Sequence, residues 1–153
     1  MDLRATLQAA IKDAMKAKDS ARLSTLRLIG AAIKDREIAA RGGDGDGTLG
    51  DHDLIAILSK MVKQRQESAR AYEEGGRLEL AQKEEAEIGV IQEFLPRQLS
   101  EAETAAAIDG AIAALGATGI RDMGRVMAEL RDRHAGQMDF GAVGPMVKAR
   151  LLN

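Results

Sequence analysis

Leu3, Leu7, Ile11 and Met15 step by four, which predicts a first amphipathic helix from about residue 2 to 17. Asp19 is placed to cap a second, with Leu23, Leu26, Gly30 and Ile33 along one face. Gly42-Gly43-Asp44-Gly45-Asp46-Gly47 stops it. A third helix follows from about Asp51, with Leu54, Ile57, Leu58, Met61 and Tyr72 inward, and Gly75-Gly76 ends it. The fourth carries Ile88, Ile91 and Leu95 and is expected to run to Leu95, because Pro96 disfavours helical geometry at the preceding residue. Ser100 followed by Glu103 is a capping box opening a fifth helix, striped by Ile108, Ala111, Ile112 and Leu115 and stopped by Gly116. Thr118 is the expected cap of a sixth helix with Met123, Val126, Met127 and Leu130, which Gly136 ends. The seventh holds Val143, Val147 and Leu151. Pro145 leaves two starts open, Asp139 with a bend or Gly144 as cap, and the first is preferred.

The pattern is helical throughout, and composition agrees. Phe94, Phe140 and Tyr72 are the only aromatics, so the core falls to Leu, Ile, Val, Ala and seven Met, a set that packs helices better than sheets. The expected fold is all-α, with about four helices over residues 1–96 and a small three-helix domain over 97–153. The link Pro96–Ser100 reads as a protease-sensitive hinge, and the loop Gly42–Gly50 as a still more sensitive site.

Charge adds little by itself: the net is −2, which argues against general polyanion binding. Its distribution says more. Residues 1–41 hold nine Lys/Arg against five Asp/Glu, and residues 77–95 hold two against five, so the first helices and the fourth attract one another. Without cysteine, disulfides and thiolate metal sites are excluded. No signal-peptide pattern opens the chain and no apolar run approaches a membrane span, so a cytoplasmic location is expected.

Candidate chemistry is thin. Counted from Asp44, an EF-hand would need glycine sixth and glutamate twelfth, where Leu49 and Ile55 stand. Glu84, Glu85, Glu87 and Glu93 have no Glu-x-x-His beside them and read as an outer helix face. His52 opens a helix, and His134 sits in a last turn, where the helix dipole favours it. No catalytic, cofactor or metal residue is assigned.

Two stretches are more distinctive. The first is Val62-Lys63-Gln64-Arg65 with Glu67-Ser68, Tyr72, Gly76-Arg77, Leu80-Ala81, Lys83-Glu84, Glu87-Ile88 and Leu95-Pro96-Arg97-Gln98-Leu99. The second is Leu115-Gly116-Ala117-Thr118, then Asp122-Met123-Gly124-Arg125-Val126-Met127. Together they resemble the GatB/YqeY family, in particular its free-standing YqeY-like members. The resemblance implies a helical N-terminal domain followed by three helices. It also implies kinship with the tail of the B subunit of the tRNA-dependent amidotransferase, which helps hold the tRNA body. tRNA, or amidotransferase machinery, is therefore the implied partner. The family's label, a carbon–nitrogen ligase with glutamine as amido-N-donor, finds no amidase Ser/Lys set and no ATP site here and reads as inherited by association. A helical protein-interaction adaptor without RNA contact is the alternative. A polar site from Lys63 and Arg65 with Glu84 and Glu87 is a third reading, against which stands a structural ion network between helices.

If RNA is bound, the sixth helix offers a face. At 100° per residue Arg121 and Arg125 oppose its apolar side, with Arg131 and Arg133 on the flanks, and Lys148 and Arg150 extend the patch from the last helix. Arg121 also lies near a helix N-terminus, whose amides favour anions. Against this, residues 97–153 hold seven basic and seven acidic side chains, as an ordinary solvated face would.

Overall fold

A computed structural model describes residues 2–43 and 48–152. Its regular elements are all helical: α1 (Leu3–Lys16), α2 (Ser20–Arg41), α3 (Asp51–Glu74), α4 (Leu78–Gln92), α5 (Glu101–Leu115), a 3₁₀ turn (Ile120–Asp122), α6 (Met123–Arg133) and α7 (Phe140–Leu152). Two compact units result, residues 1–95 and 96–153. The acidic glycine loop weighed above as half an EF-hand lies, at Asp44–Gly47, outside the described residues.

In the first unit α3 and α4 form the most extensive helix pair, and α1 and α2 pack beside them. Leu3, Leu7, Leu26, Ile29, Leu54, Leu58, Ile88 and Ile91 are among the residues of its core. Ile29 is fully buried and Gly30 exposed, so the inward face of α2 lies one residue earlier than Gly30 implied. Thr25 and Leu26 set that angle, since they share the buried side with Ile33. Asp2 and Asp19 cap α1 and α2 by accepting from Ala5 and Arg22 amides, both at 3.1 Å. The Leu3 amide donates to Asp51 Oδ1 at 3.1 Å, pinning the start of α1 to that of α3.

Helix α4 ends at Gln92, three residues short of the expected Leu95. The proline effect acts earlier than its nearest neighbour: Glu93, Phe94 and Leu95 amides all turn to carbonyls three residues back, the tighter 3₁₀ pattern of a closing turn. Phe94 and Leu95 still pack on the core.

α1 leaves through a left-handed residue, Lys18 at φ 57°. Lys18 and Asp19 amides donate to Met15 and Ala14 carbonyls at 3.2 and 3.0 Å, the paired bonds of a Schellman stop. Glycine fills the same conformation after α3 and α5, at Gly76 and Gly116. A side chain in the left-handed region costs about 1–2 kcal/mol, partly offset by the entropy glycine loses on folding. Lys18→Gly is therefore expected to stabilise the protein by about 0.5–1 kcal/mol, read as a higher urea midpoint at unchanged slope.

The second unit packs α5, α6 and α7 around Ile108, Val126, Met127, Leu130, Val143, Val147 and Leu151. α7 starts at Phe140, following the Asp139 alternative, and takes Pro145 inside it. Pro145 cannot donate to the Gly141 carbonyl, but both residues are exposed, so water can satisfy that oxygen.

Candidate nucleic-acid interface

Residues 97–99, within the link expected as a hinge over Pro96–Ser100, are hydrogen-bonded into the second unit. The Leu99 amide donates to the Gln137 carbonyl at 2.9 Å, and Gln137 Nε2 donates to the Arg97 carbonyl at 3.2 Å. Gln98 Nε2 donates to the Gly136 carbonyl, so two glutamines cross-brace the link and the turn after α6. His134, the C-cap of α6, sets its Nδ1 3.2 Å from Gln137 Oε1 and joins the same turn. The Pro-Arg-Gln-Leu stretch thus fastens residues 97–99 to their own unit. In limited proteolysis, bonds 97–100 are expected to resist cleavage, and early cuts there would contradict the bracing.

Arg97 also grips Glu103 with two bonds of 2.8 Å, while Ser100 and Glu103 complete the capping box at 3.0 and 3.1 Å. The Arg97 guanidinium, with the Ser100 amide, holds the Glu103 carboxyl at about 2, down from 4.5. A depressed carboxylate pKa stabilises the fold above the unfolded value and loses that contribution as pH falls through the folded one. Stability from this clasp should therefore be complete above about pH 4.5 and fade toward pH 2. Denaturant titrations of wild type and Glu103→Gln should differ at pH 6 and converge toward pH 2.

The start of α6 is a second clasp, and it changes how the arginines are read. α5 ends at the left-handed Gly116, and the chain returns through Thr118 and Gly119. Thr118 does not cap α6. Its amide and that of Gly119 donate to Asp122 Oδ2 at 3.0 and 3.3 Å, which holds the Asp122 carboxyl below its ordinary value, Thr118 first among the causes. Arg125 closes the loop, donating to Asp122 Oδ1 at 3.0 Å and the Leu115 carbonyl at 3.4 Å. The Leu-Gly-Ala-Thr and Asp-Met-Gly-Arg motifs are two halves of one hydrogen-bonded turn. Two amides that precede α6 are taken by Asp122, so they are not open to a phosphate.

The five candidate residues separate accordingly. Arg125 is tied to Asp122, Arg150 to Asp109 at 2.6 Å, and Arg131 lies over the Phe140 ring at 5.8 Å. Arg133, on the flank, pairs with Glu129 at 2.5 Å. Arg121 and Lys148 are exposed and make no ion pair among the described residues. Arg121 sits in the 3₁₀ turn, not in α6, so the 100° projection that set it beside Arg125 does not apply. Two of these partners were readable in the sequence as i,i+3 and i,i+4 spacings, Asp122–Arg125 and Glu129–Arg133. Asp109–Arg150, forty-one residues apart, has no local signal.

In the first unit Arg65 Nε donates to Glu87 Oε2 at 2.9 Å, with side chains only 16% and 17% exposed, and Arg65 Nη1 donates to the Met61 carbonyl. Lys63 points to solvent, so this is a strut between α3 and α4 and not a four-residue polar site. Arg22 and Glu93 join α2 to the end of α4 at 2.6 Å, and Arg4 and Glu37 join α1 to α2 at 2.7 Å. Among the described residues no cluster of His, Asp or Glu is arranged to hold a metal, and no helix is long and apolar enough to cross a membrane.

The architecture is a two-part helical module in which the polar motif residues Arg65, Glu87, Arg97, Gln98, Asp122 and Arg125 act as braces. The chain belongs to the Yqey-like protein family, whose profile matches residues 4–151, in agreement with the resemblance of the motif residues. It is 32% identical over 154 residues to the altered inheritance of mitochondria protein 41, mitochondrial, of Lachancea thermotolerans, covering 99% of this chain and 80% of that protein. The proteins of the same name from Eremothecium gossypii and Meyerozyma guilliermondii are 39% and 41% identical over 94 and 91 residues. Those matches cover 61% and 59% of this chain and only 49% and 44% of the relatives. All three relatives are mitochondrial by name, which overturns the expected cytoplasmic location. The absence of a secretory pattern and of an apolar membrane span, on which that expectation rests, does not separate the two compartments.

Proposed function

We propose that the protein is a tRNA-binding helical module that works beside amidotransferase machinery and carries out no chemistry of its own. The observation that carries this reading is the set of exposed cations left without an acidic partner, Arg121 and Lys148 in the second unit. Phosphate is the chemistry such cations match, and contacts of this kind give affinity without reading sequence. Arg131, exposed beside the Phe140 ring, offers its guanidinium for a further contact. The braced arginines Arg125 and Arg150 shape the face and contribute through their outer nitrogens. The ligase label of the family belongs, on this reading, to the enzymes such modules accompany.

A protein-adaptor reading has one observation in its favour, the exposure of Ile120 and Leu152 in the same unit, at 45% and 62%. Affinity capture of the tagged chain from cells, with and without nuclease, separates the two. The proposal expects tRNA in the untreated sample and loss of co-recovered protein after nuclease. A protein partner that survives nuclease, with no enrichment of RNA, would favour the adaptor.

A further inference from the structure

We infer that the outer face of α2 is a docking track for the phosphate backbone of a structured RNA; this rests on the RNA-binding reading above and adds a second, separate surface to it. Thr25, Leu26, Ile29 and Ile33 are the buried side of this helix. On its solvent-exposed side Arg27, Lys34 and Arg41 recur every seven residues. Seven residues advance about 10 Å and return to nearly the same azimuth, so the three cations form one line about 20 Å long. All three are exposed, and none makes an ion pair or side-chain hydrogen bond among the described residues.

That separates them from seven arginines of the chain. Arg4, Arg22, Arg65, Arg97, Arg125, Arg133 and Arg150 are each paired with an acid of the protein itself. The outer face of α3 mixes Lys60 and Lys63 with Glu67 and Glu74, which cancels its field. Among the described residues the acids near the track are Asp35, beside Lys34, and Asp19, which caps the start of α2. Glu37 is engaged with Arg4.

The start of the track suits a backbone. Ser20, Leu23, Ser24, Arg27 and Leu28 line a groove of about 330 Å³ at the start of the track. Serine hydroxyls donate to phosphate oxygens and to the ribose 2′-hydroxyl, and the leucine edges pack on sugar. Ala31, between Arg27 and Lys34, keeps the centre low enough for close approach. Arginine and lysine on a rigid helix make contacts that follow the strand and ignore its sequence.

The test is binding of the full-length protein to unfractionated tRNA at several salt concentrations, comparing wild type with the triple variant Arg27→Gln, Lys34→Gln, Arg41→Gln. Loss of three phosphate contacts should flatten the slope of log K against log salt by about 2.7, so that wild type loses roughly 40-fold more affinity than the variant between 50 and 200 mM salt. Ser24→Asp, which removes no cation, should also weaken binding and serves if the triple variant folds poorly. Unchanged slope and affinity in folded variants, with wild type binding normally, would overturn the α2 track and leave the RNA-binding reading in place. Absence of salt-sensitive binding by wild type would overturn both. Polyglutamate competing as well as tRNA would assign the track to an acidic protein and overturn the inference.

Discussion

Leu130→Ala is expected to unfold residues 96–153 at a temperature where residues 1–95 remain native. Leu130 is almost completely buried and belongs to the second core with Val126 and Met127 of its own helix and Val147 of α7. Truncating such a leucine costs about 2–5 kcal/mol, from lost burial and from the cavity left behind. A unit of this size has only about 3–9 kcal/mol to lose. The hydrogen-bonded turns at Asp122 and Gln137 cannot compensate, because they position backbone without adding apolar burial. Thermal unfolding followed by circular dichroism should split into two transitions, the lower one carrying the α5–α7 signal. A single transition shifted as a whole would mean that the units fold as one cooperative body. The same variant tests the RNA reading, since a first unit left intact keeps the α2 track.

Glu87→Ala is the second large effect, expected to destabilise by about 1–3 kcal/mol. Glu87 and Arg65 are mostly shielded, and Arg65 is further anchored on the Met61 carbonyl. Removing one member of a buried pair leaves the other charge without compensation at a cost of about 3–5 kcal/mol. The residual exposure of both side chains lets water replace part of the loss, which lowers the figure. Arg65→Met with Glu87→Leu should recover most of the stability, since a strut can be replaced by packing. Glu87→Ala that leaves the melting temperature unchanged while abolishing RNA binding or another activity would show a functional site at this pair.

The sequence displayed the features written in short-range chemistry. The Ser100–Glu103 box, the Asp19 cap and the glycine stops at Gly75-Gly76 and Gly116 each depend on residues within one turn, and all are in place. Misreadings arose where geometry changes pitch or crosses the fold. Leu95 follows a helix that has already tightened to 3₁₀ at Glu93, and Arg121 precedes a helix that begins only at Met123. Thr118 has the side chain of a cap, but Asp122 supplies the acceptor from the other side of the turn. The fastening of residues 97–99 to the turn at Gln137 spans about forty positions and leaves no periodic trace. For the candidate interface, residue type identified cations but not which of them the protein would spend on its own acids. Arg150 looks like Arg121 in a sequence and differs from it only in three dimensions.

The measurement that bears most directly on the function is a titration of the wild-type protein with tRNA at salt concentrations from 50 to 300 mM. The account predicts binding whose log K falls linearly with log salt, with a slope of about −2 from Arg121 and Lys148 alone and about −4.5 with the α2 track engaged, since each phosphate neutralised contributes roughly −0.9. Affinity that is independent of salt, or no binding up to about 10⁻⁴ M protein, the weak limit of non-specific phosphate binding, would contradict it.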